Sequence, residues 1–159
     1  MAAVDYFLKI DGILGESQDS KHKGEIELTS WSWGATNSTA HATGGGAGAG
    51  KVTFQDFQFT ASSSKASPQL LSSAVRGTHA KTAVLTARKK GEQPVEFLKI
   101  TMSNVLVSFY KELGPTTDVV PGDEVGLLFQ KLTFQFTSQS PTGGGTAPAT
   151  VEATAQTDQ

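Results

Sequence analysis

The sequence predicts a mainly β protein, an antiparallel barrel or sandwich carrying one short helix. Three observations lead there. Apolar and polar residues alternate with period two over at least six segments. The apolar phase switches inside two of them, as bulges in curved sheets produce. Only one stretch has helical spacing, so the βαβ alternation of a parallel sheet is missing. With 159 residues, 37% of them hydrophobic, the chain is long enough for one core.

The first strand, about 3–10, sets Val4, Tyr6, Leu8 and Ile10 on one face and is apolar on the other as well through Phe7. A polar connection follows, ending Gln18-Asp19-Ser20-Lys21-His22-Lys23. The second strand, about 25–34, places Ile26 and Leu28 on one parity and Trp31 and Trp33 on the other, which calls for a bulge between Leu28 and Trp31. Alternation then makes Ser32 point away from both tryptophans.

Residues 35–50 contain no Val, Leu, Ile or aromatic residue and read as a Gly-rich loop of functional length. Strand three, about 51–60, changes phase between Phe54 and Phe57. Ser67-Pro68 reads as an N-cap followed by Pro at the first helical position, giving a helix over about 68–75 with Leu70, Leu71, Ala74 and Val75 as its apolar stripe and Gly77 as its stop. Three more strands are predicted, at about 80–90, 94–110 and 124–137. Gly91-Glu92-Gln93 suits a hairpin between the first two, and the last sets Leu128, Gln130, Leu132, Phe134 and Phe136 on one side. The domain is therefore drawn at 1–139. Residues 140–159, rich in Pro, Gly, Thr, Ala and Gln with Val151 as the one large apolar residue, read as a disordered C-terminal tail.

Composition narrows the chemistry. A formal net charge of −2 lacks the basic footprint of a nucleic-acid binder. With no cysteine, disulfides and thiolate sites are excluded. No apolar run approaches the roughly 18 residues of a membrane span. The first residues, Met1-Ala2-Ala3-Val4-Asp5, lack the basic n-region of a cleaved signal peptide, so any export is expected to take another route.

The motifs with chemical potential each fail a context test. Gly45-Gly46-Ala47-Gly48-Ala49-Gly50-Lys51 resembles a phosphate loop, but Val52 stands where Ser or Thr would ligate magnesium, and a β-patterned segment follows where a helix dipole is needed. His22, His41 and His79 lack metal-ligand spacing and read as solvated. No nucleophile elbow occurs, and Glu25 with Glu27, or Asp123 with Glu124, read as solvated carboxylates. No catalytic residue, metal or cofactor is therefore predicted. Trp31 and Trp33 read as core or subunit-interface anchors, with a stacking platform for a sugar or for bases as the alternative.

Several stretches together resemble one family. Ile10-Asp11-Gly12-Ile13-Leu14-Gly15-Glu16-Ser17-Gln18-Asp19, His22, Glu25-Ile26 and Trp31-Ser32-Trp33-Gly34 are similar to the N-terminal pattern of the haemolysin-coregulated protein (Hcp) family. Gly44-Gly45-Gly46-Ala47-Gly48-Ala49-Gly50-Lys51-Val52 resembles its Gly-rich loop, and Lys65-Ala66-Ser67-Pro68-Gln69-Leu70 the start of its helix, with Gly77, Leu85, Arg88-Lys89 and Val107-Ser108 at compatible spacing. The likeness runs over about 3–137, while Phe134-Gln135-Phe136-Thr137 and the tail depart from the family pattern.

The resemblance implies the inner-tube subunit of the bacterial type VI secretion system. Its rings would be homo-hexamers that stack into a tube, tipped by a spike protein, surrounded by a contractile sheath and carrying secreted effectors. It implies no nucleic-acid partner and no membrane insertion, with a cytoplasmic chain that is later secreted without a signal peptide. Thr39, His41, Gly44, Gly45, Gly46, Gly48, Gly50 and Lys51 would form the inter-subunit or ring-stacking loop, and Ser32 would face the lumen. The alternatives are the tube protein of a phage-tail-like injection particle and a monomeric carbohydrate-binding β-barrel using Trp31 or Trp33.

Overall fold

The computed structural model describes residues 3–38, 51–115, 120–138 and 148–154. Among these described residues the strands are β1 (Val4–Ile10), β2 (Ile26–Glu27), β3 (Ser30–Ser38), β4 (Lys51–Ser62), β5 (His79–Lys89), β6 (Val95–Leu113), β7 (Gly122–Leu128), β8 (Lys131–Phe136) and β9 (Ala149–Thr154), with one helix, α1 (Ala66–Arg76), between β4 and β5. Every strand pairing is antiparallel. The hydrogen-bonded path runs β2-β1-β5-β6-β7-β4-β3, and β8 branches from β6 to carry β9.

The ends of that path are consecutive in the chain. Only Leu28 and Thr29 separate β2 from β3, and the backbone N–H of Leu28 donates to Tyr6 O at 3.0 Å while that of Thr29 donates to Thr60 O at 2.8 Å. This link curls the sheet into a barrel that the strand ladder itself leaves open. It also explains the parity switch expected between Leu28 and Trp31: the chain changes partners there, from β1 to β4. The bulge lies further along, where β3 passes from Ser32 to Gly34 while β4 passes from Gln58 to Gln55. Two residues, Asp56 and Phe57, oppose Trp33 alone, which shifts the phase of β4 between Phe54 and Phe57.

The long strand β6 pairs with β5 along one edge, and with β8 and then β7 along the other. Residues 124–137, expected as one strand, are therefore one ribbon broken at Phe129 and Gln130. Across the break Asn104 adopts a positive φ of 52° and its Nδ2 donates to Gln130 Oε1 at 3.2 Å. The break reverses the expected face. Val125, Leu127 and Phe129 are buried, then Leu132, whereas Leu128 and Gln130 are exposed.

Leu8, Ile10, Ile26, Phe57, Phe59, Leu85, Ile100, Met102, Leu127 and Leu132 fill the barrel, and Leu70 of α1 closes one side of it. The helix is longer than expected at both ends and its N-cap is Lys65, not Ser67. Ser64 Oγ accepts from the Ala66 N–H at 3.1 Å, while Ser67, inside the first turn, accepts from the Ser64 N–H at 2.9 Å. Pro68 sits within that first turn, where its missing N–H has no intrahelical partner to lose.

The tail also differs from expectation. Ala149–Thr154 is strand β9, paired with β8 in the register Thr133↔Glu152 and Phe134↔Val151. Ala149, Val151 and Ala153 alternate with Thr150, Glu152 and Thr154, a period-two pattern too weak in bulky residues to be seen by composition. The open edge of β8 supplies its ladder, and Lys131 Nζ bonds Glu152 Oε1 at 2.9 Å.

Candidate assembly surfaces

Two faces of the sheet carry different chemistry beside β3. Trp31 and Trp33 turn inward and are half-buried. Trp31 stacks on Phe57 at 6.0 Å and meets Tyr6 edge-on at 5.8 Å, and Trp33 lies 6.0 Å from Phe134. Ser32 lies on the opposite face and is exposed. Around it are Ser30, Gln58 and Thr60, where Thr60 Oγ1 is within 2.6 Å of both Thr29 Oγ1 and Ser30 Oγ. With Glu124, and with Trp31 and Phe59 from the other face, these residues line a shallow depression. The side chains that Ser30, Ser32, Gln58 and Thr60 contribute to it are neutral hydroxyls and an amide, with the Glu124 carboxylate beside them.

The predicted loop begins later than expected, because Ala35, Thr36, Asn37 and Ser38 continue β3 and pair with β4 as far as Ser38↔Lys51. A two-stranded arm thus carries the connection over 39–50. Thr39, His41, Gly44, Gly45, Gly46, Gly48 and Gly50 lie outside the described residues. Lys51 is placed by its backbone as the first residue of β4.

The polar connection after β1 is not a solvated loop. It folds across the outer face of β1 and β5 and covers Phe7, which points away from the barrel core and is only 2% exposed. His22, expected in solvent, is buried and stacks on Phe7 with ring centroids 4.4 Å apart. Its Nδ1 lies 2.7 Å from Glu25 Oε2 and its Nε2 2.7 Å from Glu96 Oε1, so it bridges the connection to β6. Arg88 approaches the same Phe7 ring at 5.0 Å. It donates from Nη1 and Nη2 to the two carboxylate oxygens of Asp19 at 3.0 and 2.6 Å. The Arg88 hydrogen bond holds the Asp19 carboxyl far below the usual carboxylate range, and Asp19 in turn raises Arg88.

Gly15 lets this connection settle. A Cβ there would stand 2.5 Å from Glu25 O, because the Gly15 N–H donates to Gly24 O at 2.8 Å.

A second polar cluster pins the helix. Asp123, expected to be solvated, is 3% exposed. Its Oδ1 accepts from Ser63 Oγ and lies 2.9 Å from Tyr110 Oη, while Oδ2 accepts a short bond from Ser67 Oγ. β7 is thereby tied to the start of α1 and to β6. Burial, reinforced by the Asp123 carboxylate, pushes the Tyr110 hydroxyl above its usual 10.0. Neither cluster was legible as a site, because each joins residues far apart in the chain. Among the described residues no group of three His, Asp or Glu side chains is arranged to hold a metal ion.

The described residues thus form an antiparallel barrel-like sheet with a neutral polar face beside β3, one lateral helix and a two-stranded arm. Residues 7–136 match the family model described as type VI secretion system effector, Hcp, and the chain belongs to the Hcp family. It is 40% identical over 142 residues to protein hcp1 of Pseudomonas aeruginosa, covering 89% of this chain and 88% of that protein. The crystal structure of Hcp1 from Salmonella typhimurium superposes with a TM-score of 0.80 at 34% identity, over 97% of this chain and 96% of that one. A type VI secretion system effector from Yersinia pestis superposes at 0.76 and 29% identity, over 94% and 99%. The chain is thus a structural, secreted component of that system. No helix among the described residues is long and apolar enough to cross a membrane.

Proposed function

We propose that the chain forms homo-hexameric rings that stack into the inner tube, is driven out by a contractile sheath behind a spike protein, and carries effectors in its lumen. In this reading it acts without catalysis, metal or cofactor. It binds no nucleic acid, does not insert in membranes, and passes from the cytoplasm to the extracellular space or target cell without a cleaved signal peptide. The observation that carries the proposal is the division of β3 and β4 into two faces. Trp31, Trp33, Phe57 and Phe59 turn inward, while Ser30, Ser32, Gln58 and Thr60 present only small or neutral polar groups outward. Such a face suits a channel wall past which folded cargo slides, and we assign Ser32 to it.

The Gly-rich connection over 39–50, with Thr39, His41 and Lys51, is assigned to contacts with the adjacent subunit or ring, since its backbone groups are unencumbered by bulky side chains. The inward turn of both tryptophans argues against a carbohydrate-binding module built on them. The test is solution mass by light scattering with negative-stain images of the same fraction. The expected result is the mass of six chains with annular particles. A strict monomer at every concentration, with or without added spike protein, would overturn the reading.

A further inference from the structure

We propose that β9 is exchanged between subunits, so that residues 149–154 of each copy pair with β8 of a neighbouring copy. The inference rests on the tube reading and names the contact that would join one copy to the next.

Four observations carry it. The ladder between β8 and β9 spans six residue pairs, from Lys131↔Thr154 to Phe136↔Ala149, so β8 is a specific acceptor for this segment. The strand gains little from its own subunit, because five of its six residues are exposed. Apolar surface stays open along this ribbon: Val151, opposite half-buried Phe134, is 65% exposed, and Phe136, opposite Ala149, is 41% exposed. A seam against a second copy would cover both.

The fourth observation is the length of the connection. Twelve residues, 137–148, separate β8 from β9, whereas an antiparallel hairpin closes with as few as about two. At about 3.3–3.6 Å per residue, twelve residues reach roughly 40 Å, enough to cross to an adjacent copy. Since the same register forms within a chain or between chains, exchange creates no new contact to be learned and is a low-cost route to association. Within a ring, neighbouring β8 edges are presented at the millimolar effective concentrations typical of tethered partners, on the order of 1 mM. Head-to-tail donation of β9 is heterologous, and it closes when the rotation between copies completes a ring.

The chain has no cysteine, which makes the test free of background. Thr133 and Glu152 face each other in register. The double variant Thr133→Cys, Glu152→Cys is oxidised after assembly and run on a denaturing gel without reductant, and the same fraction is imaged for rings. Exchange is expected to give a covalent ladder reaching ring size. A matched mixture of the two single variants should give covalent dimers, and a mixture of Thr133→Cys with the off-register Thr150→Cys should give far fewer. Rings whose chains stay monomeric on the gel would overturn the exchange and leave the tube reading intact. A ladder without rings would support exchange and remove the tube reading. Monomers in both assays would overturn both.

Discussion

Asp19 and Arg88 lie 69 residues apart and meet through two parallel hydrogen bonds, 3.0 and 2.6 Å long, above the buried ring of Phe7. The pair fastens the connection after β1 to β5, and the lowered Asp19 carboxyl makes its contribution pH-dependent. A carboxyl whose folded-state value lies below its ordinary 3.8 stabilises the fold above that pH. The contribution is lost as pH falls from there through the lower folded-state value. Asp19→Asn should therefore lower the urea midpoint at neutral pH, and the gap between variant and parent should shrink only as pH falls below about 4. A gap that is unchanged at strongly acidic pH would contradict the assignment.

Tyr110 gives the opposite limb. Its hydroxyl is raised above 10.0, first by burial and then by Asp123, so its neutral form stabilises the fold below that pH. The contribution is lost as pH rises through the folded-state value. The parent should lose stability in alkali above about pH 10, and Tyr110→Phe should flatten that limb in urea titrations. Asp123→Ala, which leaves Ser63, Ser67 and Tyr110 without their shared acceptor, should cost roughly 1–3 kcal/mol at neutral pH.

Gly126 is fixed by its neighbour across the ladder. A Cβ there would run into the Phe109 ring and come within 2.6 Å of Ser108 Oγ. The bulge between Val107 and Phe109 lays both side chains over β7, and an aromatic ring has no flexible end to yield. Gly126→Ala should cost about 1–3 kcal/mol as overpacking. Thermal or urea unfolding would check it, and adding Phe109→Ala should recover the part due to the clash.

Local pattern was enough to place β1, β4, β5, β6 and the helix, because each has its own period and β1, β5, β6 and the helix run into a Gly, although the helix bounds and its N-cap were not legible. It failed where distant groups decide. Nothing near His22 or Asp19 signals that they fold onto Phe7, since their partners Glu96 and Arg88 come from β6 and β5. Asp123 reads as a turn carboxylate until β4, α1 and β6 bring Ser63, Ser67 and Tyr110 to it. The break at Phe129 depends on Asn104 across the ladder, and β9 depends on the open edge of β8. By contrast, the opposed directions of Ser32 and the two tryptophans follow from strand alternation alone.

Trp31 tests the inner face. It is half-buried yet contacts both Phe57 and Tyr6, so Trp31→Ala should lose stability near or below the low end of the roughly 3–5 kcal/mol seen for buried aromatics. An unchanged urea midpoint would mean the ring contributes nothing to packing and would reopen a surface role for it.

The connection over 39–50 tests assembly separately from folding. The ladder of β3 with β4 runs to Ser38↔Lys51, so the core-forming part of the arm, from Trp31 to Phe59, is complete without the glycines beyond it. Deleting residues 44–48 shortens the connection to seven residues, still more than a hairpin needs. The urea midpoint should therefore change little. If the connection supplies the contacts between rings, the shortened chain should form single rings and few stacked tubes in negative-stain images. Long tubes from the shortened chain would show that stacking is carried by other surfaces, and a collapse of the urea midpoint would show that the glycines belong to the fold.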